Sequence, residues 1–311
     1  MRYRDYMAKV ARRSRMHRTR TGKRIELTTR DLDIFRWLAR YRYLPSTYIH
    51  AFVGGKSETR FTERLGDLYH EGYIDRPGRQ WDMSNCRHRP AIHEIDTGAK
   101  RVLDEQDIVE ESRTWFAASP HRQYSHSLMV CEVLASIELG VRERPDLRFI
   151  AWPEILAKAP PTTRTLAMPM SFPTAHGTGR AVPDGLFGLE YAVGEKKTYR
   201  FFALEADRGT MPVARSNPDQ TSYVGKLAAY REILSRHVYK THLGIPNLLV
   251  LTVTTSNRRQ REIMQHFAEQ ADSYTPFLFR AASPADLKLP APGLLSEPWE
   301  RAGLPALPID V

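Results

Sequence analysis

The sequence contains few cysteines and no long apolar run. Cys86 and Cys131 are its two cysteines, and neither belongs to a Cys-x-x-Cys motif or a paired Cys/His spacing. A disulfide framework and a zinc finger are therefore not predicted. No stretch approaches the roughly 18 apolar residues needed to cross a bilayer, and the arginine-rich start lacks the apolar core of a signal peptide. These absences predict a cytoplasmic protein without a membrane partner.

Acidic residues are scarce in the first 24 positions. This stretch holds ten lysines and arginines against Asp5 alone, so it carries most of the formal net charge of +10. Such a segment is typical of a disordered basic tail that binds phosphate backbones. We predict a tail over residues 1–25, with Arg12 and Arg13 among its DNA contacts; the alternative is a poorly ordered, solubilising terminus.

Residues 26–110 show helical periodicity followed by strand-like segments. Thr28 or Thr29 can cap a first helix, a second follows Pro45, and Ser57 can cap a third. Two short strands then flank a basic loop, and another helix covers 99–105. This order predicts a winged helix that binds DNA, although winged helices also mediate protein contacts. The predicted DNA-contacting residues are Lys56, Thr59, Arg60 and Arg64 on the third helix and Arg79, Arg87 and Arg89 on the wing.

Residues 119–283 predict a second domain after a polar boundary at 106–118. A long apolar helix is followed by three strands, a helix, a strand and a helix. This is the layout of a restriction-endonuclease-like core, so the predicted fold class is α/β with an N-terminal winged helix-turn-helix. Residues 159–179 are predicted as a loop and residues 284–311 as a proline-rich tail with little core.

Three carboxylates in the second domain suggest a metal site. Asp184 precedes Gly185, and twenty residues later the chain reads Glu205-Ala206-Asp207. Side chains at i and i+2 of a strand share a face, so Glu205 and Asp207 could meet Asp184 from a neighbouring strand. Hard oxygen ligands suit Mg²⁺ or Mn²⁺, with Asp184 and Glu205 as the predicted ligands. The alternatives are an Asp-Gly turn and a solvated strand edge.

Other residues bear on catalysis. In the PD-(D/E)xK pattern a lysine stands where this chain has Asp207, and Lys226 on the next helix could replace it or be a plain surface residue. His126 and Glu132, on the helix that opens the domain, could each lend a side chain to the metal, although a core histidine and a solvated glutamate are the simpler interpretations. Arg258 begins a helix after a strand, where it could contact phosphate or accompany ordinary capping.

With these motifs behind a winged helix, the chain resembles the replication-relaxation family. The resemblance is carried by Asp184-Gly185 and Glu205-Ala206-Asp207-Arg208-Gly209-Thr210. That family is similar to relaxases of the MOBC type, which pair a winged helix with a nuclease-like domain. The resemblance implies a role in plasmid replication or mobilisation, with double-stranded origin DNA as partner and a homodimer or relaxosome and replication proteins as further partners.

Three functional hypotheses follow from the sequence. A metal-dependent nickase would use Asp184, Glu205, Asp207 and Lys226 and leave 5′-phosphate and 3′-hydroxyl ends. A catalytically inactive, sequence-specific DNA-binding regulator is the second, and an adaptor for replication or transfer machinery is the third. A tyrosine nucleophile, Tyr124 or Tyr223, is less supported because the His-x-His segment of the common relaxases is absent.

Overall fold

The computed structural model describes residues 13–83, 85–106, 124–163, 168–175, 177–215, 222–268, 276–282 and 293–311. The chain divides into two compact units, residues 1–114 and 115–311. Arg12 of the predicted DNA contacts lies outside the described residues. Within those residues, no helix is both long and apolar enough to span a bilayer.

The described residues of unit 1 form four α-helices, α1 (Thr29–Tyr41), α2 (Ser46–Val53), α3 (Glu58–His70) and α4 (Thr97–Glu105). Thr28 begins α1 with a capping box, in which its side chain and that of Asp31 each accept from the other's backbone N–H. Ser57 caps α3 through the N–H of Arg60. The apolar faces meet in a core that includes Phe35, Leu38, Ile49, Phe61 and Leu65. These helices were predicted from periodicity and caps.

A small antiparallel sheet completes unit 1. Strands β1 (Leu44–Pro45), β2 (Ile74–Asp75) and β3 (Ile92–Ile95) run in the order β1-β3-β2. Between β2 and β3 a 3₁₀-helix spans Gly78–Asp82. The buried Gln80 side chain donates to the Ile92 carbonyl and accepts from its N–H, which ties this connection to β3.

Residues 13–25, which we call the N-terminal arm, pack against the rest of unit 1. Arg13 pairs with Asp67 of α3 at 2.6 Å, and the Thr19 N–H donates to His70 Nδ1 at 3.0 Å. Arg18 bridges Asp75 and Asp96 and stacks over the Tyr69 ring. The prediction of a disordered tail is therefore wrong for residues 13–25. Carboxylates of unit 1 neutralise charges that the sequence alone left unpaired.

Unit 2 is built on a seven-stranded mixed sheet in the order β12-β11-β10-β9-β8-β7-β4. Strands β8, β9 and β10 are parallel, and their neighbours on both sides are antiparallel. A separate hairpin is formed by β5 (Met170–Thr174) and β6 (Gly177–Ala181). The strands of the large sheet are β4 (Leu147–Ala151), β7 (Gly185–Val193), β8 (Lys196–Asp207), β9 (Leu249–Thr254), β10 (Phe277–Ala281), β11 (Trp299–Arg301) and β12 (Leu304–Leu307).

The helices of unit 2 pack on this sheet. Helix α5 (Tyr124–Arg142) contacts β4 and β8, and it is buried around most of its circumference. Helix α7 (Tyr223–Ser235) carries Tyr223, Leu227 and Tyr230 into a core shared with Val250 and Phe279. The described residues of unit 2 also form α6 (Trp152–Lys158), α8 (Val238–Leu243), α9 (Asn257–Ala268) and α10 (Gly293–Ser296).

Two sequence predictions for unit 2 are wrong. The predicted loop 159–179 contains β5 and the start of β6, and its buried Phe172 covers Gly179, where a side chain would not fit. The predicted tail 284–311 contains α10, β11 and β12, of which the last two extend the large sheet. Trp299 is fully buried there, and its indole N–H donates to the Leu294 carbonyl. Short apolar segments between prolines were too brief to show a period.

Candidate functional site

Asp184 is placed by the first residue pair of the β7–β8 ladder. Gly185 pairs with Leu204, and the Asp184 N–H donates to the Leu204 carbonyl at 2.9 Å. A Cβ on Gly185 would come within 3.0 Å of the Leu204 side chain, so glycine allows the strands to approach here. The Asp-Gly pair therefore enters a strand and does not form an isolated turn.

Glu205 lies near the end of β8 with no solvent exposure. Its Oε1 accepts a 2.5 Å hydrogen bond from the Tyr230 hydroxyl, and its Oε2 is contacted by Lys226 Nζ. Lys226 and Tyr230 are one turn apart on α7, so they share a face of that helix. One helical turn thus holds both oxygens of Glu205.

Asp184 lies beside this pair and is held from three directions. Its Oδ2 accepts from the Ala206 N–H at 3.1 Å and lies 3.5 Å from Lys226 Nζ. Its Oδ1 lies 3.2 Å from His126 Nε2 on α5. The side chains of Asp184 and Glu205 are 7% and 0% exposed, against 22% for His126 and 24% for Lys226. The two nitrogen groups therefore flank the approach to the buried carboxylates.

Burial dominates the electrostatics of the site. The pKa of Glu205 is raised to about 8, first by loss of solvent and also by the charge of Asp184, although Lys226 and the Tyr230 hydroxyl act to lower it. Burial also raises the pKa of both Tyr223 and Tyr230 well above the ordinary value. Both tyrosines are packed, with the Tyr223 hydroxyl donating to Thr252 Oγ1 at 3.3 Å. Tyr124 is buried as well, so neither Tyr124 nor Tyr223 is an exposed nucleophile.

Asp207 has a different partner from the other two carboxylates. Arg259 of α9 donates to both of its oxygens, at 2.6 Å from Nε and 3.3 Å from Nη2. The prediction that Asp184, Glu205 and Asp207 form one metal-binding cluster is wrong in this respect, because the Arg259 guanidinium neutralises Asp207. In the part of the chain that the structure describes, no group of three or more His, Cys, Asp or Glu side chains is arranged to hold a metal ion.

The donor set still fits one kind of cation site. Asp184 and Glu205 approach a common point at Lys226 Nζ, and Glu205 Oε2 touches that ammonium without accepting a hydrogen bond of regular geometry. Mg²⁺ is usually held by one or two carboxylates, with waters and substrate phosphates completing its shell. These residues fit that open arrangement, and they do not fit an all-protein cage.

The predicted DNA-contacting residues of unit 1 divide into exposed and internally bonded groups. Arg64 is bonded, because it donates to both oxygens of the buried Asp31 and to the Glu26 carbonyl. Although burial opposes it, hydrogen bonds from Arg64 and Thr28 lower the pKa of Asp31. Arg13 is likewise bonded to Asp67. The exposed group comprises Lys56, Thr59, Arg60, Arg79, Arg87 and Arg89.

On unit 2, Arg258 at the start of α9 is exposed and pairs with Glu262 one turn along the helix. Glu132 is buried on α5 and is not the solvated glutamate of the simpler interpretation. Sequence reasoning missed Tyr230 and Arg259. The position of Tyr230 four residues after Lys226 was a signal that could have found it, whereas nothing in the sequence linked Arg259 to Asp207.

Fold and site together define a mixed α/β protein with a buried carboxylate–lysine centre between a sheet strand and two helices. The replication-relaxation family model matches residues 35–249, and the chain belongs to that family. The sequence resemblance is thus confirmed, and it points to a replication-related function of plasmids or mobile elements. The matched range includes α3 and all of Asp184, Glu205 and Lys226. Comparison with curated proteins and with solved structures returned no match.

Proposed function

We propose that the protein is a divalent-cation-dependent endonuclease that nicks plasmid or mobile-element DNA, with unit 2 as a PD-(D/E)xK-like catalytic domain. The observation that carries this proposal is the position of Lys226 beside both carboxylates. Its ammonium contacts Glu205 and lies 3.5 Å from Asp184, so α7 delivers the lysine that the strand sequence lacks at Asp207. An acid pair with a lysine is the side-chain set that such nucleases use.

The chemistry proposed is hydrolysis of a phosphodiester. Bound Mg²⁺ or Mn²⁺, held by Asp184 and Glu205, would lower the pKa of its water and neutralise charge on the scissile phosphate. Lys226 stands at the exposed side of both carboxylates, where it can orient the attacking water and offset the same charge. Tyr230 holds Glu205 Oε1 and so leaves Oε2 directed toward the centre. Asp207 fixes α9 through Arg259 instead of taking part in the chemistry.

Unit 1 is proposed as the winged helix that binds double-stranded DNA. Support comes from the order of its elements: three helices precede a β2–β3 pair, and an intervening basic segment corresponds to the wing. Lys56, Thr59 and Arg60 are exposed at the start of α3, the end that enters the major groove in such domains. Arg79, Arg87 and Arg89 are exposed between β2 and β3. We also propose that the protein is similar to relaxases of the MOBC type and that it acts with relaxosome partners.

A nicking assay tests the proposal. Supercoiled plasmid from the native element would be incubated with the full chain and Mg²⁺, Mn²⁺ or EDTA, and nicked circles would be counted. Nicking is expected with a divalent cation, and Asp184→Asn and Glu205→Gln should each abolish it. Asp207→Asn is the matched control on the same strand, with residual nicking expected. Cation-independent nicking, or full activity in Asp184→Asn, would refute the proposal of a cation-dependent nuclease centred on Asp184.

Absence of nicking alongside sequence-specific binding would favour the DNA-binding regulator. Binding of an acidic protein in place of DNA would favour the adaptor. Footprinting on the same plasmid separates these two outcomes.

A further inference from the structure

Helix α9 holds the chain where it leaves β8. Arg259 donates from Nε to Asp207 Oδ2 at 2.6 Å, and its Nη2 also donates to the Met211 carbonyl. The Asp207 side chain is 3% exposed and that of Arg259 is 14% exposed. Because one rigid, planar guanidinium bonds both groups, it fixes the end of β8 and residue 211 relative to α9.

The segment 211–213 in turn receives the start of α7. The carbonyls of Pro212 and Val213 accept from the first two N–H groups of α7, each at 3.0 Å. The first N–H groups of a helix have no acceptor within the helix, so they need partners from outside it. These two bonds therefore fasten the first turn of α7 to the segment that Arg259 holds.

Lys226 belongs to this first turn of α7. Its ammonium contacts Glu205 Oε2 and lies 3.5 Å from Asp184 Oδ2, so it occupies the point between the two buried carboxylates. The place of that ammonium depends on where the helix starts relative to β8. A misplacement of about 1 Å at a reacting centre can cost about a hundredfold in rate.

We propose that Asp207 and Arg259 are positioning residues for Lys226, acting through segment 211–213 and the first turn of α7. The inference rests on the proposed function, because it concerns the lysine of the same centre. Asp207 stands where the PD-(D/E)xK pattern has its lysine. Through Arg259, this aspartate sets the helix from which the lysine reaches the carboxylates instead.

Chemical labelling of lysines in the full chain tests the positioning without DNA or a cation. Native protein would be reductively methylated, and the rate at each lysine would be followed by peptide mass spectrometry. Lys226 should react slowly in wild type because buried carboxylates hold its ammonium. In Arg259→Gln its rate should rise by about tenfold, the factor implied by loss of a hydrogen bond to a charged group. The exposed Lys240 is the internal reference, and Arg261→Gln, an exposed arginine on α9, is the matched control that should leave Lys226 unchanged.

Cys131 separates local movement from unfolding, since it is fully buried on α5 of the same unit. A thiol reagent should leave Cys131 unmodified in Arg259→Gln while Lys226 reacts. If Cys131 does react, Arg259→Lys replaces that variant. Its single ammonium keeps the charge beside Asp207 but cannot bridge two groups as the guanidinium does, so labelling of Lys226 should be intermediate.

Nicking kinetics give a second readout. Arg259→Gln should lower kcat by at least about tenfold with little change in KM, and Arg261→Gln should change neither. Unchanged Lys226 labelling in folded Arg259→Gln or Arg259→Lys would overturn the inference, and nicking by wild type would then still support the nuclease. Accelerated labelling in a protein that does not nick DNA, or that keeps its full kcat, would keep the positioning pair and reject the catalytic role of Lys226.

Discussion

Lys226 lies against Glu205, with its ammonium touching the carboxylate oxygen Oε2 of a side chain that has no solvent exposure. Removal of one member of a buried pair leaves the other charge uncompensated, which costs about 3 kcal/mol. Lys226→Met should therefore lower the free energy of unfolding by about that amount, measured with urea above pH 8, where Glu205 is ionised.

The double variant Lys226→Met/Glu205→Gln is the control. It removes both charges and should recover much of the lost stability. Equal destabilisation in the single and double variants would show that the charge pair is not the cause.

Tyr230 should matter more to stability than its neighbour on α7, Tyr223. Both rings are buried, but the Tyr230 hydroxyl donates to a carboxylate at 2.5 Å and that of Tyr223 to a threonine at 3.3 Å. Hydrogen bonds to charged groups contribute about 1.5–3 kcal/mol, against about 1 kcal/mol for neutral pairs. Tyr230→Phe should accordingly destabilise the protein more than Tyr223→Phe in urea unfolding at pH 9. Equal losses would contradict the assignment of Glu205 as the main partner.

Arg60 and Arg64 should separate recognition from folding, although both lie on α3. Arg60 is exposed, so Arg60→Ala should reduce discrimination for the specific DNA site by about 1–3 kcal/mol and leave the melting temperature unchanged. Arg64 holds the buried Asp31, so Arg64→Ala should lower the melting temperature. Competition binding and thermal denaturation of both variants measure this. An unchanged specificity ratio in Arg60→Ala would place the reading element elsewhere.

Acid should release the N-terminal arm. The pKa of His70 is lowered, first by burial and then by Arg13 and Arg76, and the neutral ring accepts from the Thr19 N–H. The unfolded histidine binds protons at higher pH than the folded one. The contribution of neutral His70 to stability is therefore complete above about pH 6.5 and is lost as pH falls through the lowered pKa of the folded state. The protection of the backbone amides of residues 13–25 against hydrogen exchange, relative to the intrinsic exchange rate at each pH, should fall on acidification.

His70→Asn retains an acceptor without titrating, so the protection of its N-terminal arm against exchange should depend less on pH. Identical profiles in wild type and variant would assign the acid response to another group, for which the buried His93, whose pKa is also lowered by burial, is the next to test.

Local signals in the sequence predicted the helices better than they predicted which side chains form ion pairs. Thr28 and Ser57 marked the starts of α1 and α3 because their caps are formed within three residues of the chain. The partner of Arg64, in contrast, is Asp31, which lies thirty-three positions away on another helix. Periodicity cannot distinguish an arginine that faces solvent from one that reaches a buried carboxylate.

The same limit applies to the candidate site. The i, i+2 rule predicts a common side of β8 for Glu205 and Asp207, but it could not foresee that Lys226 would approach Glu205 and Arg259 would approach Asp207. Segments without a period, such as the strands beyond residue 298, were missed because sheet pairing is a long-range property.

The chemistry of the nicked ends distinguishes hydrolysis from a covalent protein–DNA intermediate. Hydrolysis at the Asp184–Glu205–Lys226 centre should leave a 3′-hydroxyl and a free 5′-phosphate, so that the nick is sealed by DNA ligase and the 5′ end is labelled after phosphatase treatment. Complete sealing is expected, with no protein attached to the DNA. A 5′ end blocked by covalently bound protein would contradict it, since that result requires a tyrosine nucleophile.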